Sequence, residues 1–294
     1  VRRRSGESLY KAAVNASHLG FKERDRMTWS HDLRGTTVIC RQLAGLDELA
    51  PVEAIQRDVF GATDLDIYAA GQLMSFAEAG GHTITAWVGD ELAGTVIGIG
   101  GMVDGEPRLL SDWMGVYPQF RSLGIGADLK RLQAAVSLDA GYREIYWTVD
   151  PLRAANARLN FNKLGAWSDH YEQNRYGTSY GEALYGGLPS DRLHLRWSIV
   201  DPMVHDLLTA PSQPDHSADG LDSFAPGQSA NMALIPIPQD IDAVLASSQA
   251  EALAWRMAVR STLPVALAEG FRVTGFVPAR GAATPALLLT RESS

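Results

Sequence analysis

Strand-like alternation and helical spacing take turns along this chain from Thr37 onward. TTVICRQL is rich in β-branched residues and predicts a strand. LDELAPVEAIQRDVF follows, with Leu49, Val52, Ile55 and Val59 at helical spacing. A second helical stretch covers roughly Ile67 to Ala79 and closes at Gly80-Gly81. HTITAWVGDELAGTVIGIGG divides into two strands around a Gly89-Asp90 turn, a hairpin signal. EPRLLSDWMGV supplies a third strand after the Asp104-Gly105 turn. Ile125, Leu129, Leu132 and Val136 then recur at intervals of four, three and four, predicting an amphipathic helix that stops near Gly141. In REIYWTV, Ile145, Trp147 and Val149 alternate as a strand. Asp150-Pro151 suits an N-cap and first turn, opening a helix that runs to Leu164 and ends at Gly165. DRLHLRWSIV is the last strand of this half.

The remainder is less regular. Thr209 to Asn231 is rich in Pro, Ser, Asp and Gly and reads as a linker. Beyond it come a long helical stretch, Asp240 to Glu269, which Pro264 is expected to kink or divide, and two short strands, FRVTGFV and ALLLT. The N-terminus is basic at its tip but lacks the apolar core of a secretory signal. ESLYKAAVNASHLGF could be an ordered helix; the preferred alternative is a flexible extension from an early translation start, with Met27 as the true beginning. The expected division is therefore 1–36 as an N-terminal extension, 37–205 as the main α/β (α+β) domain, 206–232 as linker, and 233–294 as a small helical and β extension packing on the core.

Composition narrows the function class. At 294 residues, 46% hydrophobic and 20% charged, the chain can bury a sizeable core. A net charge of -8 argues against a general nucleic-acid or anionic-membrane footprint, while a local basic patch for a phosphorylated cofactor stays open. No stretch approaches the roughly 18 apolar residues of a membrane span. Cys40 is the only cysteine, which excludes an internal disulfide and a cysteine-rich metal site and suits a cytoplasmic setting. His82, His170 and His194 are scattered without metal-ligand spacing, so no metal is expected and a surface role is the better reading of each.

The chemistry concentrates in MGVYPQFRSLGIGADLK, Met114 to Lys130, where a strand hands over to a helix through Gly124 and Gly126. Such a junction frees backbone N–H groups at the helix start, and these with the helix dipole favour an anion, usually phosphate. Arg121, with Lys130 and Arg131 beyond, could add charge. A turn that merely needs small residues is the competing reading. A dinucleotide fingerprint would need a third glycine where Leu129 stands, and a P-loop needs Gly-Lys-Ser/Thr, so both fall.

What remains, Arg121-x-x-Gly124-x-Gly126 preceded by Val116-x-Pro118, resembles the coenzyme A signature of the GNAT superfamily of N-acetyltransferases. NARLNFNKLGA, Asn156 to Ala166, is similar to that superfamily's Asn-x-x-Ala-x-x-x-Tyr-x-x-x-Gly-Phe segment. More narrowly, WTVDPLRAANARLNFNKLGA resembles a bacterial branch of predicted GNAT enzymes with a C-terminal extension. The resemblance covers about two thirds of the chain, and the extension in the narrower branch. It implies the GNAT acyl-CoA acyltransferase fold: a mixed, mostly antiparallel central sheet flanked by helices. It also implies acetyl-CoA, or another acyl-CoA such as succinyl-CoA, as co-substrate and a small amine such as an amino acid as acceptor.

Roles follow residue by residue from the resemblance. Backbone groups of Ser122, Leu123, Gly124, Ile125, Gly126 and Ala127, beside Arg121, would hold the pyrophosphate. Met114 and Val116 would pair with the pantetheine arm where two strands splay, and the Val116 N–H would stabilise the oxyanion. Asn156 would bond the pantetheine or phosphate region; its bland alternative is a solvated first-turn residue. Four residues before Gly165, where many relatives carry an acidic tyrosine, stands Phe161. Tyr171 or Tyr176 could substitute, and a thiol of pKa roughly 8.5 is a tolerable leaving group without full protonation. Asp112, four before Val116, and Asp150, closing the adjacent strand, are the candidate bases, against a solvated strand residue and a helix cap respectively. Arg153 or Arg158 could meet a carboxylate if the acyl group is succinyl. A non-catalytic acyl-CoA-binding module is the alternative to an enzyme, and homodimerisation is one role open to the tail.

Overall fold

The computed structural model describes residues 15–177, 186–210, 215–281 and 284–292. Its elements run β1 (Lys22–Asp25), β2 (Thr28–Leu33), β3 (Thr36–Leu43), α1 (Leu46–Phe60), α2 (Ala70–Glu78), β4 (His82–Val88), β5 (Glu91–Val103) and β6 (Glu106–Val116). A 3-10 turn over Pro118–Leu123 leads into α3 (Ile125–Asp139), then β7 (Glu144–Val149) and α4 (Ala154–Ala157), which continues as a π turn over Arg158–Lys163. β8 (Trp167–Glu172), β9 (Arg192–Ser198) and α5 (Pro202–Thr209) complete this part. β10 (Met232–Pro236), α6 (Ile241–Ser247), α7 (Gln249–Ala268), β11 (Arg272–Val277) and β12 (Ala286–Thr290) form the C-terminal part.

Twelve strands among the described residues make one sheet in the order β1-β2-β3-β4-β5-β6-β7-β9-β8-β11-β12-β10. Every neighbouring pair is antiparallel except β6 with β7. The mostly antiparallel, helix-flanked architecture is the one the resemblance implies. A continuous core runs from Leu19 and Phe21 through Leu129 and Trp197 to Phe271 and Leu289, so the C-terminal strands and α7 share the core of the main sheet.

Three expectations change. Residues 15–36 are not a flexible lead: β1 and β2 extend the sheet beyond β3, and Leu19 and Phe21 are buried. Arg131 holds them by donating to the Leu19 carbonyl at 2.9 Å, and His31 meets Asp128. The helix considered for residues 7–21 falls largely outside the described residues; its described end, 16–20, is a turn. In the C-terminal half the chain breaks at Ser248, not at Pro264. Ser248 is extended and its hydroxyl accepts the Glu251 N–H, an N-cap that starts α7, whereas Pro264 sits inside that helix. Finally, Asp150 caps a turn through the Leu152 N–H at 2.9 Å, and the helix proper starts only at Ala154.

Candidate active site

The site begins with a defect in strand pairing. β6 and β7 pair only at Leu109–Leu110 with Ile145–Tyr146. One residue past Ser111, the β5–β6 ladder skips Asp112: Ile97 opposes Trp113 and Gly98 opposes Ser111. Such a bulge bends its strand. Beyond it β6 stays with β5 while β7 stays with β9, and the two central strands part.

Backbone groups face this gap. The Tyr117 N–H bonds the Ala93 carbonyl on β5 at 3.0 Å. Since antiparallel backbone groups alternate sides, Val116 and Met114 turn theirs away from β5, toward β7. The Val116 carbonyl accepts from Arg121 Nε at 3.1 Å, so Arg121 braces the strand end.

The glycine turn stands at the mouth of the gap. Gly124 has φ +96°, a conformation that explains its identity without any ligand. Its carbonyl accepts the N–H groups of Ala127 and Asp128, while those of Ile125 and Gly126 have no carbonyl partner among the described residues. Gly126 is a different case. A Cβ there would meet only Met114 Cε and Val116 Cγ2, both at 3.8 Å, an ordinary contact. Nothing among the described residues requires glycine at 126, and glycine in a helix costs about 1 kcal/mol relative to alanine. The predicted cradle residues Arg121 to Ala127 are contiguous at this mouth, but Lys130 and Arg131 do not add charge to it. Arg131 is spent on Leu19, Leu208 and Asp128, and Lys130 points into the protein.

Between the parted strands lies a cavity of about 480 Å³, walled by Met114, Trp147, Thr148, Asn156 and the α1–α2 connection, Gly61 to Tyr68 among others. Asp112 lines it and is exposed, accepting from Tyr68 Oη at 2.6 Å. Tyr176 lines it too, its hydroxyl 3.1 Å from Thr148 Oγ1. Asp150 reaches the wall but is committed. One oxygen accepts the Leu152 N–H; the other takes Arg256 Nη2 at 2.6 Å and lies 4.0 Å from Arg192. Arg256, on α7, is fully buried, and its Nε and Nη1 have no other partner among the described residues. Asp150 is thus a tie between β7 and the C-terminal helix, which leaves Asp112 as the accessible carboxylate of the two candidate bases.

Tyr171 is excluded as a substitute acid. It bonds Asp191 within a cluster that also holds Arg260, and burial followed by that hydrogen bond pushes its hydroxyl well above the ordinary tyrosine range. Phe161 is not across the gap at all. It is buried beside a second cavity of about 970 Å³ against the C-terminal strands. The cause is the π turn, in which the Leu164 N–H reaches the Leu159 carbonyl five residues back. That extra residue rotates the helix face, so Asn160 rather than Phe161 lines the cavity. Counting back from Gly165 therefore names the wrong side chain.

Arg153 and Arg158 already hold internal anions. Arg153 meets Asp242 at 2.7 Å, and Arg158 grips Asp215 through two bonds, 2.9 and 2.7 Å. Asn156 is exposed on the cavity rim. The histidines are less scattered than their spacing suggests. His170 and His194 oppose each other across β8 and β9, and with Glu172 they offer three ligand atoms within 4.8 Å of one another. Arg175 already neutralises that group, bonding Glu172 at 2.5 Å and lying 3.5 Å from His194 Nε2. His82 is buried, and burial followed by the nearby Lys130 pushes it down to about 4.

Sequence reasoning missed Lys130, Thr148, Tyr68 and Asn160 as cavity residues. A signal for Lys130 exists: Gly126, Lys130, Gln133 and Ser137 form a polar stripe along α3, and its last three members are buried.

No family model matches this sequence, and no curated protein matches it either. Solved structures do. The ribosomal-protein-S18-alanine N-acetyltransferase from Escherichia coli is 17% identical, covering 55% of this chain and 94% of its own, with a TM-score of 0.43. The IAA acetyltransferase from Bacillus cereus is 15% identical over 54% of this chain and 98% of its own, at 0.42. The NatC complex bound to Gag peptide and CoA is 12% identical over 55% and 98%, at 0.44.

Proposed function

We propose that this chain is an acyl-CoA-dependent N-acyltransferase of the GNAT type, moving acetyl from coenzyme A to the amine of a small molecule such as an amino acid. The observation that carries this reading is the unpaired gap between β6 and β7, with the Met114 and Val116 backbone turned into it and a glycine-started helix at its mouth. In this reading the N–H groups at the start of α3 take the pyrophosphate, where helix dipole and free donors coincide. The Met114 and Val116 N–H groups take the pantetheine arm and the developing oxyanion, and Asn156 bonds the arm from the rim. Asp112, held by Tyr68, faces the acceptor amine, and Tyr176 stands on the cavity wall beside Thr148.

Arg153, Arg175 and Arg192 also line the cavity. Each is already engaged within the protein, Arg153 with Asp242, Arg175 with Glu172 and Arg192 beside Asp150, so acetyl-CoA is the first donor to assay and succinyl-CoA the second. Calorimetric titration with acetyl-CoA and coenzyme A tests the reading: micromolar binding, abolished by Gly126→Glu, is expected. Absence of binding to either thioester or to free coenzyme A refutes it. Thiol release across a panel of amines separates an enzyme from a module that only holds acyl-CoA.

A further inference from the structure

Lys130 is the buried charged-type residue that the roles above leave unused. It lies one helical turn beyond Gly126, and so on the same face of α3, beneath the gap. The residue is only 2% exposed, yet it lines the cavity between the parted strands. Its Nζ donates to Ser111 Oγ at 2.7 Å and Gln133 Oε1 at 3.2 Å, and lies 3.8 Å from the centre of the Trp147 ring. Ser111 precedes the bulge where the strands part, so this amine sits at the closed end of the gap.

Resting on the acyltransferase reading, we propose that Lys130 carries the proton of the transfer step. The acceptor nitrogen attacks the thioester carbonyl and the N–C bond forms. The proton shed by that nitrogen passes to Lys130 Nζ. As the C–S bond breaks, the same proton passes to the departing sulfur, and the lysine returns neutral. One group thus takes and returns the proton while Asp112 orients the acceptor amine, which matches a site where Asp150 is tied to Arg256 and Phe161 is turned away.

The role needs a neutral amine at rest. Burial without a carboxylate partner holds Lys130 well below the ordinary lysine range. Two tetrahedral positions of Nζ serve Ser111 and Gln133 and one is Cε, which leaves one for a lone pair. The titratable and charged groups around it are His82 on β4, reached through Gln133 Nε2 at 3.3 Å, and Asp112, Asp150 and Arg192 on the shared cavity wall. Trp197 on β9 is the other ring nearby, at 5.9 Å.

The chain has four lysines, at 11, 22, 130 and 163, so the Cε signals of 13C-lysine protein can be followed singly. One signal, missing in Lys130→Met, should titrate well below the rest, and move when coenzyme A is added. Titration together with the others, or no response to coenzyme A in protein that binds it, overturns the proposal whether or not any variant folds. Lys130→Met should keep acetyl-CoA affinity within about threefold while kcat falls by at least about 100-fold. Wild-type kcat should decline as pH drops through the Lys130 titration. A Lys130→Met enzyme with wild-type kcat and pH profile also overturns it, leaving the acyltransferase reading intact. Failure of the wild type to bind acetyl-CoA removes the acyltransferase reading itself.

Discussion

Gly124 and Gly126 are two residues apart, and alanine at each should have opposite effects. At Gly124, φ +96° forces any Cβ into the left-handed region, which costs about 1–2 kcal/mol. For a chain of this size about 1 kcal/mol moves Tm by roughly 2 °C, so Gly124→Ala should melt about 2–4 °C lower. At Gly126 the backbone is helical and the nearest atoms are 3.8 Å from a Cβ, so alanine meets no clash. It recovers part of the helix propensity, about 0.5–1 kcal/mol, raising Tm by roughly 1–2 °C. Ligand cancels the gain at Gly126. Acetyl-CoA at about a hundred times its Kd stabilises wild type by about 2.7 kcal/mol, or roughly 5 °C. If the methyl at 126 weakens pyrophosphate approach by about tenfold, the same ligand gives only about 1.4 kcal/mol, or roughly 3 °C. Thermal melts of the three proteins with and without acetyl-CoA read all of these. A Gly126→Ala protein that is no more stable alone, and shifts as fully as wild type with ligand, would refute the claim that a ligand accounts for this glycine.

Asp150→Ala leaves Arg256 and Arg192 buried without their carboxylate and should cost about 3–5 kcal/mol, lowering Tm by roughly 6–10 °C. Adding Arg256→Met should recover part of that loss, because the two changes share one interaction; strict additivity would argue against the tie. His82 makes stability acid-sensitive. Its folded pKa of about 4 lies below the ordinary 6.5, so its contribution is complete above pH 6.5 and is lost as pH falls toward 4. The loss is on the order of 3 kcal/mol at about 1.4 per pH unit, and denaturant melts of His82→Gln across this window should show a flatter dependence. Asp112→Asn should reduce kcat/KM by at least about tenfold with little change in acetyl-CoA affinity, read by thiol release beside calorimetry. A matching loss of affinity would instead place Asp112 in coenzyme A binding.

Much of the fold was legible because the strongest patterns are local. LDELAPVEAIQRDVF is α1 residue for residue, and the strands around Gly89-Asp90 and Asp104-Gly105 fall where their turns predict. Strands β1, β2 and β10 were not. KERD is exposed throughout, and MALIP is apolar without alternation; pairing with β2 and β12, not propensity, makes each a strand. The break at Ser248 follows the same logic, since a satisfied cap outweighs a proline that the helix accommodates.

The sequence by itself determined the glycine turn, because Gly124, Gly126 and the strand-to-helix change are all local. Its neighbours in the cavity were decided only by tertiary structure. A bulge at Asp112 parts β6 from β7, a π turn exchanges Phe161 for Asn160, and α7, over a hundred residues later, brings Arg256 to Asp150. Lys130 shows the difference most plainly. Linear order sets it beside the glycine turn as one more positive charge. A helix turn of about 100° per residue instead carries it inward, where burial between Trp147 and Ser111 changes the chemistry of its amine.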